Sequence, residues 1–451
     1  MSGPRIMKFG GTSVGDAANM KRVGALVIEA LPAAPVVVLS AMSGVTNALV
    51  NASAVAEEGK LTDALELVSG IKKKHITAAD ELFGGTAPAA LDTELDKRID
   101  ELKLLLRGVN LLRELSPRSA DAIASFGERL STLLFTAYME SLEVPVTRLD
   151  ARTVMRTDDR FGRARPDEPA IRELAGELLM PHAGAGRAVI TQGYVGATAN
   201  GAATTLGRGG SDYSAALLGA AIDAAEVQIW TDVEGVFTAD PRIVPDAQHI
   251  EKLSFAEAAE LASFGAKVLH PATIQPAVRA GIPVTVRHTE RPEGRFTTIT
   301  TEVDTGRPVT ALASRGGITV ITVTSTRMLE SSGFLDRLFA VFGRHQVPVD
   351  LIATAEVSVS MTVDASESLE GLIADLEEFS SVAVAEGRAI VALVGEHLKQ
   401  TPGLAATVFG AVSDINVEMI SMGANEINLS LVVEAGRVPE VIARLHEALF
   451  A

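Results

Sequence analysis

A Gly-Gly turn near the start of the chain separates a short apolar run from a helical pattern. The turn covers residues 8–13, with the sequence KFGGTS, and a helix-like run follows over residues 17–30. Two adjacent glycines let backbone N–H groups approach an anion closely, and the N-terminus of a following helix favours negative charge. Lys8 adds a mobile cation at the same place. The segment predicts a strand, an anion-binding turn and a helix, with a plain turn as the alternative.

Short apolar runs alternate with helical patterns through the first 300 residues. The runs are rich in Val, Ile and Leu, as buried parallel strands are, and they cover residues 35–39, 144–149, 188–192, 226–230 and 283–287. Between the first two runs, apolar residues recur every three or four positions over residues 52–116, which predicts a helical insertion. The alternation predicts an α/β domain with a mostly parallel sheet over residues 1–300.

Glycines and polar residues follow several of these runs, at positions where a parallel strand would end. Residues 40–47 (SAMSGVTN) follow the first run, and open α/β sheets bind ligands at this edge. A glycine-rich loop over residues 204–214 carries Arg208 and Asp212, and arginine grips carboxylates and phosphates with two parallel hydrogen bonds. Residues 231–242 combine acids with an arginine, although simple turn chemistry would also explain them.

Glu128 stands beside a glycine inside an apolar helical pattern, in the segment 125–131 (SFGERLS). On this pattern alone, the favoured interpretation is a surface residue on the solvated face of a helix.

The last 140 residues contain an internal repeat. Residues 345–352 align with residues 413–420, and the apolar positions 359, 361 and 363 match positions 427, 429 and 431. Both sets alternate apolar and polar residues, as half-buried antiparallel strands do. A glycine opens the helix that precedes each set, Gly333 in the first and Gly403 in the second. The pattern predicts two βαββαβ units, and their lack of acid–base or phosphate-binding motifs indicates regulation.

Composition excludes several classes of protein. The chain has no cysteine, so it has no disulfides, no thiolate metal site and no cysteine nucleophile. The net charge of −17 argues against nucleic acid as a partner. No run of 18 uncharged apolar residues occurs and the start of the chain lacks a signal-peptide pattern, so no membrane span and a cytoplasmic location are expected. A Walker loop and an intact GxGxxG are also missing, and the cations and glycine-rich loops are typical of phosphoryl transfer.

Six motifs, in order along the whole chain, resemble those of aspartate kinases, and most closely those of the monofunctional lysine-sensitive class. They are KFGGTS (8–13), SAMSGVTN (40–47), SFGERLS (125–131), TLGRGGSDY (205–213), WTDVxG (230–235) and FGAKVLHP (264–271). The resemblance implies a three-layer amino-acid-kinase fold over residues 1–300, with the helical insertion at about 52–116. Two α+β ACT domains of βαββαβ form are implied at residues 310–388 and 389–451, with strands exchanged between them.

The resemblance also implies a reaction and its regulation. The γ-phosphoryl group of ATP, bound with Mg²⁺, would pass to the β-carboxylate of L-aspartate, giving 4-phospho-L-aspartate in the first step of lysine, threonine and methionine biosynthesis. No metal-binding side chains are implied. Lysine would inhibit allosterically through the ACT domains, which would also form a homodimer or support a tetramer. Nucleic acid and membranes are not expected as partners.

The resemblance assigns roles by position. Lys8, Asp212 and Arg208 would be catalytic, with Lys8 neutralising the transferred group, Asp212 orienting catalytic groups and Arg208 binding a substrate carboxylate. The remaining aspartate contacts would be Ser40, Thr46 and Glu128, the last to the ammonium group. The nucleotide site would contain Lys8, Phe9, Gly10, Gly11, Thr231, Asp232, Phe237, Arg242, Lys267 and Val268. At Phe237 relatives often carry Tyr, so a hydroxyl contact is lost. The lysine site would contain Met328, Ser331, Phe334, Leu335, Val349, Asp350 and Glu356.

Two other functions fit the same motifs less well. Another kinase of this fold, acting on glutamate, acetylglutamate or a nucleotide, is disfavoured by the Gly-Glu pair at 127–128 and by the long C-terminal repeat. A non-catalytic amino-acid sensor is disfavoured by the combination of Lys8, Arg208 and Asp212.

Overall fold

The computed structural model describes residues 3–184, 186–265, 271–301, 307–328, 333–365, 367–423 and 425–450. These residues divide into two compact units. The first consists of described residues within Met1–Val236, Glu251–Phe255 and Val268–Glu302, and the second of those within Phe237–Ile250, Ala256–Lys267 and Val303–Ala451.

Strands and helices alternate along the first unit, whereas longer antiparallel strands dominate the second. The strands are β1 (Arg5–Phe9), β2 (Pro35–Leu39), β3 (Val146–Leu149), β4 (Ala188–Gln192), β5 (Val195–Ala197), β6 (Ala203–Thr205), β7 (Glu226–Thr231), β8 (Val236–Phe237), β9 (His249–Ile250), β10 (Lys252–Ser254), β11 (Val284–His288), β12 (Thr297–Thr300), β13 (Ala311–Thr324), β14 (Ile352–Thr354), β15 (Ser358–Asp364), β16 (Ser381–Val394), β17 (Met419–Met422) and β18 (Asn428–Glu434). The α-helices are α1 (Ala17–Ala30), α2 (Val45–Glu57), α3 (Leu61–Leu82), α4 (Ala89–Leu112), α5 (Pro117–Ala124), α6 (Phe126–Ser141), α7 (Ala151–Val154), α8 (Glu168–Leu174), α9 (Gly210–Ala221), α10 (Phe255–Ser263), α11 (Pro271–Arg279), α12 (Phe334–Arg344), α13 (Glu370–Glu377), α14 (Leu404–Ala411) and α15 (Val438–Phe450).

An eight-stranded sheet forms the centre of the first unit, in the order β10-β12-β11-β7-β1-β2-β4-β3. Its strand pairs are parallel except for β11 with β12. Every residue of β2 and β4 is buried, as expected for strands covered on both faces. The predicted mostly parallel sheet is therefore confirmed, and the carboxyl ends of β7, β1, β2 and β4 meet at one edge.

Helices α2, α3 and α4 form the helical insertion. The apolar positions of α4 that recur every three or four residues are all buried: Leu91, Leu95, Ile99, Leu102, Leu106 and Val109. Full burial of such a side chain stabilises the fold by roughly 1.5–3 kcal/mol, so this stripe fixes α4 against its neighbours. Helical structure begins at Val45, earlier than the pattern at residue 52 suggests, which places Thr46 on a first helical turn.

The second unit contains a six-stranded sheet in the order β14-β15-β13-β16-β18-β17, with antiparallel neighbours throughout. Strands β13 and β16 are long enough to serve both repeats. Residues 311–315 of β13 pair with 390–394 of β16, and residues 318–324 pair with 381–388. The first part of β13 thus completes the sheet of the second repeat.

Each repeat has its own apolar core, the first around Leu338, Met361 and Leu372 and the second around Val408, Leu431 and Leu445. Helices α12 and α14 begin directly after Gly333 and Gly403, whose φ angles are 104° and 83°. The predicted glycine starts of both helices are confirmed. Among the described residues, no helix is both long and apolar enough to cross a membrane.

Candidate functional site

A cavity of about 680 Å³ lies in the first unit, beside the carboxyl ends of β1 and β2. Eight of the residues predicted for catalysis, substrate binding or nucleotide binding line it: Lys8, Gly10, Gly11, Ser40, Thr46, Glu128, Arg208 and Asp212. They come from four distant segments of the chain. Their convergence at the carboxyl edge of a parallel sheet is the usual location of a ligand site in this class of fold.

Lys8 and Asp212 form an ion pair within this cavity. Lys8 lies on the central strand β1 and is only 9% exposed, and its Nζ is 2.7 Å from Asp212 Oδ1. Asp212 belongs to the first turn of α9, which follows Gly209 in a left-handed conformation with φ of 70°. The carboxylate therefore holds the ammonium group beside a helix N-terminus, where an anionic group is favoured.

Glu128 is buried, with 3% of its surface exposed, so the surface position favoured by the sequence pattern is wrong. Helix α6 can approach the segment after β2 because position 127 is glycine; a Cβ there would lie 2.7 Å from Ala41 Cβ. Glu128 Oε1 accepts a hydrogen bond from the Ala41 N–H at 3.2 Å. Within the described part of the chain, Oε2 has no hydrogen-bond partner.

Burial raises the pKa of Glu128 to about 8, because a charged carboxylate is poorly solvated there. The side chain is therefore mostly protonated at neutral pH when the cavity is empty. A cation placed beside Oε2 would stabilise the carboxylate form and lower this pKa. The geometry and charge suit an ammonium group as ligand.

Arg208 lies in the loop between β6 and α9 and is exposed. Its guanidinium has no hydrogen bond or ion pair to any residue that the structure describes. Ser40 Oγ donates to Ser211 Oγ at 3.0 Å on the neighbouring wall, and Thr46 lies in the first turn of α2, whose N-terminus has no side-chain cap. Within the described ranges of the chain, the cavity thus offers an unpaired guanidinium and backbone N–H groups without a side-chain cap, both suited to carboxylate or phosphate.

The other predicted nucleotide residues of the first unit lie outside the lining of this cavity. Thr231 and Asp232 are at the carboxyl end of β7, beside β1, where the Gly10 N–H donates to the Trp230 carbonyl oxygen at 3.3 Å. The Phe9 ring is completely buried and stacks on Trp230 with the ring centroids 5.8 Å apart. A nucleotide could meet Phe9 only through its backbone.

Two predicted nucleotide residues belong to the second unit. The Phe237 ring packs edge-on against the His249 ring, with centroids 5.5 Å apart. Arg242 pairs with Asp240 through an Nη2–Oδ2 distance of 2.6 Å, and its side chain is 88% exposed. Lys267 and Val268 lie outside the described residues.

The predicted effector residues also lie in the second unit. Phe334 and Leu335 open α12, and Val349 packs partly against the core of the first repeat. Asp350 is paired with Arg315, with 3.1 Å between its Oδ1 and Nη1, whereas Glu356 is exposed. Met328 is half-buried at the end of a short 3₁₀ turn, and Ser331 lies outside the described residues. An ammonium group that binds Asp350 must therefore compete with an arginine.

Sequence reasoning missed several residues of the cavity wall, including Tyr194, Gly162 and Ser211. Tyr194 lies two residues after the end of β4 and adopts a left-handed backbone with φ of 66°. Its position after a buried strand was a usable signal, because ligands bind at that edge. Gly162 lies in a loop that carries no recognisable motif, so no sequence signal identifies it.

Comparisons with known proteins agree with this geometry. Residues 4–288 match the amino acid kinase family and residues 391–449 match the ACT domain. The chain is 41% identical to lysine-sensitive aspartokinase 3 of Escherichia coli, covering 99% of both chains. It is 36% identical to the chloroplastic aspartokinase 2 of Arabidopsis thaliana, covering 99% of this chain and 84% of that one.

Solved structures give the same result. The crystal structure of E. coli aspartokinase III in complex with lysine and aspartate superposes with a TM-score of 0.84 at 40% identity, covering 99% of this chain and 100% of that one. The structure of the same enzyme with aspartate and ADP superposes with a TM-score of 0.83 at 40% identity and the same coverage. By its sequence, fold and cavity, the chain belongs to the amino acid kinase family and, within it, to the aspartokinases.

Proposed function

We propose that this chain is an aspartate kinase, which transfers the γ-phosphoryl group of ATP to the β-carboxylate of L-aspartate and forms 4-phospho-L-aspartate. The observation that carries the proposal is the content of one cavity. It holds a buried carboxyl group, Glu128, with one oxygen unpaired, and the guanidinium of Arg208, which has no partner among the described residues, beside the Lys8–Asp212 ion pair. Glu128 matches the ammonium group of aspartate and Arg208 matches a carboxylate. The Lys8–Asp212 pair matches the transferred phosphoryl group.

The proposed roles follow from charge and position. Glu128 binds the aspartate ammonium group, Arg208 a carboxylate, and Ser40 and Thr46 complete the wall around the substrate. Lys8 stabilises the negative charge on the transferred group, while Asp212 holds the Lys8 ammonium in place. No general base is needed, because the β-carboxylate is already ionised at neutral pH. Catalysis then consists of positioning and charge stabilisation, as in other phosphoryl transfers.

We propose that ATP binds with Mg²⁺. Among the described residues, no group of three or more histidine, aspartate or glutamate side chains could hold a metal ion. Mg²⁺ commonly binds through nucleotide phosphates and waters with few protein ligands, so this arrangement is compatible with a metal that arrives with ATP. Gly10 and Gly11 would contact the phosphates, and Thr231, Asp232, Phe237, Arg242, Lys267 and Val268, with the Phe9 backbone, would form the rest of the nucleotide site.

The proposed reaction is tested with the purified full-length chain, ATP, Mg²⁺ and a panel of acceptors. We expect ADP release with L-aspartate and not with glutamate, acetylglutamate or nucleoside monophosphates, and the aspartate product should be an acyl phosphate that is trapped as the hydroxamate. The pocket must pair an ammonium group with Glu128, and acetylglutamate and nucleotides have no α-ammonium. Turnover with glutamate instead would indicate a different kinase of this fold, and amino-acid binding without turnover would indicate a sensor.

We also propose that lysine inhibits the enzyme by binding the first repeat of the second unit. The N-terminus of α12 suits the lysine carboxylate, and Asp350 and Glu356 offer two separate carboxylates for its two ammonium groups. The internal repeat provides a useful comparison: Asp350 aligns with Glu418, and both are paired with arginine. Asp350 contacts Arg315, and Glu418 Oε1 lies 2.6 Å from Arg388 Nε.

This pairing gives a matched pair of variants. Asp350→Ala is expected to raise the lysine concentration for half-inhibition by roughly 5- to 150-fold, the range of typical allosteric coupling. Glu418→Ala removes the equivalent ion pair from the second repeat and should leave lysine inhibition close to that of the wild type. The measurement is the rate of aspartyl phosphate formation against lysine, with threonine as a second effector. Unchanged inhibition in Asp350→Ala, or inhibition by threonine alone, would contradict the assignment.

We propose in addition that the ACT domains form a homodimer, or a tetramer made of two such dimers. The apolar side chains of Ile352 on β14 and of Ile420 and Met422 on β17 are exposed at the two ends of the six-stranded sheet, and their burial against a second copy would be favourable.

L-Aspartate, ATP and the effector are the remaining partners, and we assign the activity to the cytoplasm, where ATP and free amino acids are available.

A further inference from the structure

Asp121 is a buried carboxylate on α5 that does not line the cavity, with 3% of its surface exposed. Three donors from two other segments point at it. The Gly162 N–H is shared between Oδ1 and Oδ2 at 3.0 and 2.9 Å. Thr205 contributes both its N–H, at 2.9 Å from Oδ2, and its Oγ1, at 2.8 Å from Oδ1. One side chain thus ties three segments of the first unit together.

The two segments that Asp121 holds both lead into the cavity wall. Gly162 lines the cavity itself. Thr205 is the last residue of β6, and the loop that follows carries Arg208. The segments also contact each other directly, since the Ala164 N–H donates to the Thr205 carbonyl oxygen at 2.9 Å. A shift of Thr205 would therefore displace Arg208, which lines the cavity.

The chemistry of Asp121 favours a fixed loop. Burial raises the pKa of its carboxyl group, while the hydrogen bonds from Gly162 and Thr205 act in the opposite direction. Removing the carboxylate would leave buried N–H groups without an acceptor, which is unfavourable. The strand end would then move to reach water, and the Arg208 loop would move with it.

We propose that Asp121 is a positioning residue for aspartate binding: it fixes the end of β6 and the 162 loop, and through them the Arg208 guanidinium. The inference rests on the proposed aspartate kinase function. A residue that positions Arg208 should change the aspartate KM and leave the ATP KM unchanged. A general loss of stability would not act on the aspartate KM alone.

The test compares four full-length proteins by steady-state kinetics: wild type, Asp121→Ala, Asp121→Asn and Val109→Ala. Asp121→Ala is expected to raise the aspartate KM roughly 10- to 100-fold, with the ATP KM close to that of the wild type. Asp121→Asn should recover most of this loss, because its carbonyl oxygen can accept from both backbone N–H groups while its amide donates to Thr205 Oγ1. Val109→Ala destabilises α4, away from the cavity, and should leave both KM values unchanged.

A further variant covers the case in which Asp121→Ala does not fold. Thr205→Val keeps the size of the side chain and removes only the hydroxyl donor, so a smaller rise in the aspartate KM alone is expected. Equal changes in both KM values, or wild-type kinetics in both Asp121→Ala and Thr205→Val, would overturn the inference while the proposed function stands. A wild type that binds aspartate and ATP without turnover would overturn the proposed function first, and this inference with it.

Discussion

Lys8→Ala should lower kcat by roughly 10²–10³, the typical effect of losing one preorganised electrostatic contact, with a modest change in the ATP KM. Lys8 is held by Asp212 at 2.7 Å and is almost completely buried, so its charge is fixed before the substrates arrive. Such a charge acts mainly on the transferred group in the transition state, and its loss therefore appears in kcat more than in binding. The measurement is the initial rate of aspartyl phosphate formation at saturating ATP and aspartate.

Two further variants sharpen this result. Lys21→Ala removes an exposed lysine of α1 whose Nζ donates to the Glu81 carbonyl oxygen at 2.9 Å, and it should leave kcat unchanged. Asp212→Asn should lower kcat as well, and the double variant should be little worse than Lys8→Ala, because residues that act as a unit are not additive. Turnover like the wild type in Lys8→Ala would remove this residue from the mechanism.

Glu128→Gln should weaken aspartate binding strongly and leave the ATP KM nearly unchanged, because it removes the partner of the substrate ammonium group. Loss of a buried partner to a charged group typically costs about 3–5 kcal/mol, which corresponds to roughly 150- to 5,000-fold in affinity. The control is Glu29→Gln, an exposed glutamate of α1, which should not alter either KM. An equal loss of ATP and aspartate affinity would show that Glu128 is structural or belongs to the nucleotide site.

The raised pKa of Glu128 adds a second readout. With a pKa of about 8, the empty enzyme carries this group mostly protonated at pH 7, whereas the bound ammonium requires the carboxylate. Aspartate binding should therefore release a proton at pH 7, and aspartate affinity should rise between pH 6 and about 8. Titration calorimetry in two buffers of different ionisation enthalpy measures the release, which Glu128→Gln should abolish. Identical proton release in both proteins would contradict the proposed ammonium site.

The stability of the protein without ligands should also fall as the pH rises, because of the same group. Because the folded-state pKa is raised from 4.5 to about 8, burial of the protonated form contributes fully to stability below pH 4.5. This contribution is lost as the pH rises through about 8. Without ligands, the wild type should thus lose more stability than Glu128→Gln between pH 5 and 8, as followed by urea unfolding.

The sequence alone determined the elements of the chain and much of the site. The buried strands, the glycine-rich turns at 8–13 and 204–214 and the C-terminal repeat all depend on local patterns, and the structure contains each of them. Parallel strands bring their carboxyl ends to one edge, so loops that follow different strands had to meet there. The motifs that resemble those of aspartate kinases assign Lys8, Ser40, Thr46, Arg208 and Asp212 to one site, and in the structure these residues line one cavity.

Only the tertiary structure decided the environment of the individual side chains. The helical pattern alone favoured a surface position for Glu128, but Gly127 lets Ala41 approach α6, and Glu128 is buried there. Asp121 carries no motif and acquires its role from donors at Gly162 and Thr205. The burial and the pKa of a side chain depend on which distant segments pack against it. The periodicity of apolar residues within one helix does not predict those contacts. Sequence therefore identifies which segments form the cavity, whereas packing determines which of their charged groups are buried, paired or free to bind a substrate.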